Sequence, residues 1–222
     1  MSGRRRWILP VTMSVLVVAA LAFAIVATKE SNDSGSGSSG TTATQTGTAG
    51  QAPLTRGGFA GAEMPRAVQA PPIALHDQYG RPVSLASFRG SPVVVAFLYT
   101  HCGGPCTLIA QQIRGALDEL PRPVPVLIVS VDPAGDNPAA VRRFLASTSL
   151  SGRVYYLNGS PAALASVWRA FRVKPASAGA EALARSATVF LIDPAGRERV
   201  LYGTEQLTPE ALAHDIGKLQ NG

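Results

Sequence analysis

Reactive side chains are scarce in this chain: two cysteines, three histidines and 6% aromatic residues among 222. No cysteine stands near residue 25, which excludes a lipid on a processed N-terminal cysteine, and Arg5-Arg6 lack the fuller context of a twin-arginine export signal. Few aromatics interleave with the scattered basic residues, so the net charge of +6 reads as a solvated basic surface with no nucleic-acid partner. Charge is absent altogether from residues 7–28, a run of 22. As a helix it would extend about 33 Å, the depth of a bilayer's hydrocarbon core.

Arg4-Arg5-Arg6 precede that run and Lys29-Glu30 after it balance, so the positive-inside rule keeps the N-terminus cytoplasmic and exports the rest. The expected topology is a single pass through the plasma membrane with the domain outside. A cleaved signal peptide competes, with Ala22-Phe23-Ala24 as its cleavage site, but the apolar run continues to Ala27 and favours an anchor. Both readings export both cysteines. Seventeen of the twenty basic residues are arginine, a bias that suits a GC-rich bacterial genome. From residue 29 to 70 the composition collapses to Ser, Gly, Thr, Ala, Gln and Pro, which predicts a flexible tether without structure of its own. Residues 71–222 remain, about 150 residues, enough for one domain with a real core.

Within that domain, Ile73-Ala74-Leu75 and Val83-Ser84-Leu85 around Gln78-Tyr79-Gly80-Arg81 predict a small hairpin. A central strand follows over 93–99, then a helix after Cys106 that ends before Pro121. A second apolar strand over 124–131 leads through a turn to a helix over 139–147. A short strand over 153–157 and a helix opened by Ser160-Pro161 come next. Residues 188–192 and 199–202 predict a hairpin across Asp193-Pro194-Ala195-Gly196, and Thr208-Pro209-Glu210 caps a last helix. The pattern is α/β, a central mixed sheet with helices on both faces.

Both cysteines lie where the β-branched run Val93-Val94-Val95-Ala96-Phe97-Leu98 breaks into Tyr99-Thr100-His101-Cys102-Gly103-Gly104-Pro105-Cys106. Such strand-loop-helix corners are where α/β proteins mount reactive groups. If the helix has begun by Cys102, a spacing of four places both thiols on one face, close enough for a disulfide or a shared metal. A helix N-terminus stabilises thiolates. A purely structural disulfide is the alternative, but so small a ring constrains the unfolded chain little, so a functional dithiol is favoured.

This segment resembles the strand and Cys-x-x-x-Cys signature of the Sco/SenC family. Ala74-Leu75-His76-Asp77-Gln78-Tyr79-Gly80, Val129-Ser130-Val131-Asp132-Pro133, Leu157-Asn158-Gly159 before Trp168-Arg169-Ala170-Phe171-Arg172-Val173, and Phe190-Leu191-Ile192-Asp193-Pro194-Ala195-Gly196 follow in family order. The resemblance spans nearly all of residues 71–222. It implies a thioredoxin-like fold and extracytoplasmic placement. It also implies copper delivery, as Cu(I) on Cys102 and Cys106, or thiol reduction at the copper site of cytochrome c oxidase or of another exported thiol or copper protein. The family's third copper ligand, a histidine five residues before an aromatic, falls here on Arg185, and arginine cannot ligate copper. The proline that usually follows the second cysteine is Thr107, with Pro105 before it. Two soft thiolates suffice for copper(I), whereas a stable copper(II) site wants imidazole nitrogen as well.

His101 is either a ligand or proton partner or, since neighbours along a strand point to opposite faces, a solvated loop residue. His76 and His214 read as solvated surface groups. Arg185 either favours the thiolate and raises the pair's reduction potential, or is a solvated residue of the 174–187 loop. Asp132 is either a carboxylate that orients the site or turn chemistry beside Pro133. Three rivals carry different signatures. A thioredoxin-type thiol-disulfide oxidoreductase would have Cys-x-x-Cys and a cis-proline before Thr188, where Ser186-Ala187 stand. A peroxiredoxin would have Thr-x-x-Cys, but Thr100-His101-Cys102 is one residue short. A non-catalytic binding module would keep the disulfide locked.

Overall fold

The computed structural model describes residues 58–64, 68–178 and 189–222. The expected membrane span, the tether up to residue 57 and Arg185 lie outside them. Among the described residues no helix is long and apolar enough to cross a membrane.

In chain order the elements are β1 (Ala62–Glu63), β2 (Ala74–His76), β3 (Pro82–Ser84), β4 (Val93–Leu98), α1 (Gly104–Glu119), β5 (Val126–Ser130), α2 (Pro138–Ser147), β6 (Tyr155–Leu157), α3 (Pro161–Ala170), β7 (Val189–Ile192), β8 (Glu198–Tyr202) and α4 (Pro209–Asn221). Among the described residues six strands form one mixed sheet in the order β1-β8-β7-β4-β5-β6. The β4-β5 and β5-β6 pairs are parallel, while β7, β8 and β1 join antiparallel. The three later helices start as their sequences predict. Asn137, Ser160 and Thr208 accept N–H groups of the first turn, and each is followed by a proline whose missing donor costs nothing there.

Apolar residues of β4 alternate between two layers, which is why the strand reads as an unbroken hydrophobic run. Val94, Ala96 and Leu98 pack under α1, α2 and α4 against Ile109, Ile113, Phe144, Leu212 and Ile216. Val93, Val95 and Phe97 pack with Leu164 and Val167 of α3 and Leu75 of the β2-β3 hairpin. On that second face Phe97, Phe171 and Phe190 form a triangle with ring centroids 5.1–5.7 Å apart, the edge-to-face spacing that adds to area burial.

Two expectations need correction, and a third, the hairpin over 73–85, is met. Residues 58–64 and 68–70, expected in the tether, belong to the fold: Phe59 is buried, β1 pairs with β8, and Gln69 bridges to Arg197. The anchor is Asp215 of α4, whose carboxylate accepts Ala60 N–H at 2.8 Å, Gly61 N–H at 3.0 Å and the Tyr202 hydroxyl. The β2-β3 hairpin forms a sheet of its own, joined to the end of β6 through His76 and Asn158. Finally, α1 starts at Gly104, so Cys106 lies in its first turn and Cys102 precedes it.

Candidate functional site

The end of β4 leaves the core at Leu98 and the chain turns through Thr100 and His101 before α1 begins. Gly103 is the residue just outside the helix, at φ 74°, a left-handed conformation that favours glycine. That single positive φ folds the chain back on itself, and Cys102 and Cys106 meet in a disulfide with their Cα atoms 5.6 Å apart. The two sulfurs are not equivalent in access. Cys106 is 2% exposed inside the α1-side core, whereas Cys102 is half-buried at its edge. A nucleophile from solvent therefore reaches Cys102 first, leaving Cys106 as the departing thiolate in the first turn of α1. No acidic residue stands in that turn, so nothing there opposes the helix's preference for an anion. Thr107, where the family's proline is expected, donates both N–H and hydroxyl to the Gly103 carbonyl, at 3.2 and 3.0 Å.

Of the side chains singled out beside the dithiol, two converge. His101 is not on the strand, so the expected alternation of faces does not govern it. It lies exposed in the turn with Nδ1 2.9 Å from the Thr100 hydroxyl. A Cβ placed on Gly135 would lie 3.2 Å from His101 Nδ1 and would collide with the Asp132 carboxylate, so both groups crowd the same glycine of the loop before α2. Asp132 also accepts Gly135 N–H at 3.2 Å, the turn role its position suggested. His76 is exposed on β2, and His214 is exposed with Nδ1 2.9 Å from Asp215. Arg185 lies outside the described residues. Among those residues no group of three or more His, Cys, Asp or Glu side chains is arranged to hold a metal. There, the donors at the corner are two sulfurs, soft ligands that suit copper(I) once the disulfide is reduced.

Asp136 lies beneath this corner without a motif to announce it. It is 2% exposed and accepts Thr100 N–H at 2.8 Å, the Ser130 hydroxyl at 2.6 Å and the Tyr156 hydroxyl at 2.7 Å. In sequence it looks like one more turn residue before the Asn137-Pro138 helix start. Only the parallel pairing of β4 with β5, which sets Leu98 opposite Ser130, brings Thr100 over it.

A family model described as SCO1/SenC matches residues 62–221. The chain belongs to the SCO1/SenC family. A mitochondrial SCO2 homolog of Bos taurus is 32% identical over 158 residues, covering 64% of this chain and 58% of that protein. The chain thus spans less than two thirds of the length of that curated relative. Among solved structures, Bradyrhizobium japonicum ScoI with copper bound is 29% identical at a TM-score of 0.51, covering 69% of this chain and 99% of that one. Apo Sco1 of Thermus thermophilus is 25% identical at a TM-score of 0.59, covering 72% and 96%. The mixed sheet flanked by helices is accordingly the thioredoxin-like α/β fold of SCO1/SenC proteins. The family's range begins at β1, which agrees with the fold's start before residue 71.

Proposed function

We propose that this SCO1/SenC protein is tethered outside the plasma membrane, carries copper(I) on Cys102 and Cys106, and serves the assembly of the copper site of cytochrome c oxidase. The observation that carries this reading is the disulfide at the end of the central strand, with one sulfur half-buried and the other sealed. That geometry lets the pair open by exchange and close again. Reduced, it offers two thiolates to a copper(I) ion, which accepts two soft ligands without a third. The copper-bound relative and the family match support the copper role, and the uncharged run over 7–28 supports the tether. Cys102 would receive the incoming partner's sulfur and Cys106 would resolve the mixed disulfide. His101 precedes Cys102 in the turn, and its ring and the Asp132 carboxylate both crowd Gly135.

A second reading rests on Arg185. With arginine where the family's histidine is expected, the pair would act chiefly as a thiol-disulfide oxidoreductase on the same partner, and copper(II) would bind poorly. Two mixtures separate these readings: the copper(I)-loaded protein with a reduced, copper-free oxidase copper-site domain, and the reduced, copper-free protein with the oxidised domain. Copper delivery moves metal, and reductase action moves only electrons, with the partner's disulfide opening as Cys102–Cys106 closes. Neither transfer from the wild-type protein would defeat both and leave a domain with a structural disulfide. As a sharper probe, Arg185→His should gain copper(II) affinity, read by the thiolate-to-copper absorption. No gain would show that this position is not the vacant ligand site.

A further inference from the structure

The dithiol loop is held from beneath by a side chain to which the thiol chemistry assigns no role. The three donors that satisfy the buried Asp136 carboxylate come from three separate places. Ser130 ends β5, Tyr156 lies within β6, and Thr100 is two residues before Cys102. Oδ1 faces Thr100 alone, while Oδ2 takes both hydroxyls. The carboxylate is itself fixed at both ends of its residue. Asp136 N–H donates to the Asp132 carbonyl at 2.9 Å, and its own carbonyl accepts Asn158 Nδ2 at 3.3 Å. Tyr156 is kept a neutral donor, since burial first and the Asp136 carboxylate second push its hydroxyl pKa well up. The Thr100 contact ties the dithiol loop to the parallel half of the sheet beyond the last β4-β5 pairing, alongside the Val131 N–H to Leu98 carbonyl bond at 3.1 Å.

We propose that Asp136 is a positioning residue for the dithiol: through Thr100 it holds the loop where Cys102 closes on Cys106, and so sets the reduction potential of the pair. Closing a disulfide costs the freedom of two thiols, and a loop already held in place has lost most of that freedom. Releasing Thr100 therefore weakens the disulfide relative to the open dithiol and makes the pair easier to reduce. The inference rests on the reading above only in requiring that the pair be reversible.

The test is an equilibrium of the full-length protein with glutathione, with thiols trapped and counted. In that reaction two glutathione thiols are oxidised to one glutathione disulfide. The Cys102–Cys106 bond breaks, and two electrons and two protons pass to its sulfurs. Asp136→Ala should shift the equilibrium toward the dithiol by about tenfold, equivalent to about 30 mV for a two-electron couple. Asp136→Asn, whose amide oxygen still accepts Thr100 N–H, should stay within about threefold of wild type, as should Tyr156→Phe, which removes only a donor to Oδ2. Asp136→Ser, too short to reach Thr100, replaces the alanine variant should that one fail to fold. A folded Asp136→Ala or Asp136→Ser protein that stays within about threefold of wild type would overturn the proposal. So would Asp136→Asn or Tyr156→Phe shifting as far as alanine, because charge or general loss of stability would then be the cause. A wild-type pair that glutathione leaves oxidised would sink the redox reading itself, and this proposal with it.

Discussion

Two buried aspartates, at different corners of the molecule, use the same device for different ends. Asp136 and Asp215 each accept a tyrosine hydroxyl and backbone N–H from a segment distant in sequence. Asp215 grips residues 60 and 61, which have no reactive group, and so fastens the start of the domain to α4. Asp136 grips Thr100, and what it fastens is the loop that carries the thiols. A buried carboxylate is costly unless every lone pair finds a donor, so each of these residues enforces one local geometry strictly. The difference in consequence comes from what lies at the other end of the hydrogen bond, and the two sites can be separated experimentally on that basis.

The largest effect is expected at the structural aspartate. Asp215→Ala leaves Ala60 N–H and Gly61 N–H without their acceptor and the Tyr202 hydroxyl with the Ala211 carbonyl at 3.0 Å, and should cost about 3 kcal/mol of stability while leaving the glutathione equilibrium of the dithiol unchanged. Denaturant unfolding read beside thiol trapping checks both halves. A shift in the redox equilibrium would erase the distinction between the two corners.

Replacing both cysteines by serine tests the dithiol corner in the opposite sense. The ring closes only four residues of sequence separation, so chain entropy predicts a loss of about 2 kcal/mol at most, with the fold retained and copper and thiol activity gone. Circular dichroism and thermal unfolding decide it. Loss of the fold would mean that the disulfide is a staple. The two tyrosines should behave alike. Tyr156→Phe and Tyr202→Phe each remove one donor from a buried carboxylate at a cost of about 1 kcal/mol in urea unfolding. A cost at only one of them would show that the two carboxylates are not satisfied alike.

The smallest expected effect comes from a buried acid that lacks what both aspartates have. Glu198 is 1% exposed, its Oε2 has no hydrogen-bond partner, and burial pushes its carboxyl up despite Arg172 at 3.8 Å. Because the folded state holds this proton more tightly than the unfolded chain, stability falls as pH rises from the ordinary glutamate value through the raised one. Glu198→Gln should therefore stabilise the protein by up to about 1 kcal/mol at pH 7 and by nothing at pH 4. Equal effects at both values would show that the charge is not the cause.

How far the sequence alone could be read follows from where each feature's cause lies. The strand-loop-helix corner was legible because its signals are local: a β-branched run, two glycines, a proline and two cysteines within fourteen residues. The starts of α2, α3 and α4 were legible for the same reason, each announced by a capping side chain and a proline. β1 was not, because Ala62 and Glu63 sit among small and polar residues. What makes them a strand is the edge of β8, two thirds of the chain away. Asp136 and Asp215 were invisible as anchors because the segments they hold are gripped by backbone N–H groups, of Thr100 and of Ala60 and Gly61, and every sequence has such groups at every position except proline. His101 is the exposed loop residue that the sequence favours, because the strand ends at Leu98 before reaching it. The access difference between the two sulfurs depends on the core that packs around Cys106, and no spacing encodes it.

The most direct test of the central claim is an anaerobic copper(I) competition titration of the reduced protein beside its Cys102→Ser/Cys106→Ser variant. One equivalent bound tightly by the wild type and lost in the variant is the predicted result. Binding that survives in the variant, or no tight binding by the wild type, would contradict a copper site built on this pair.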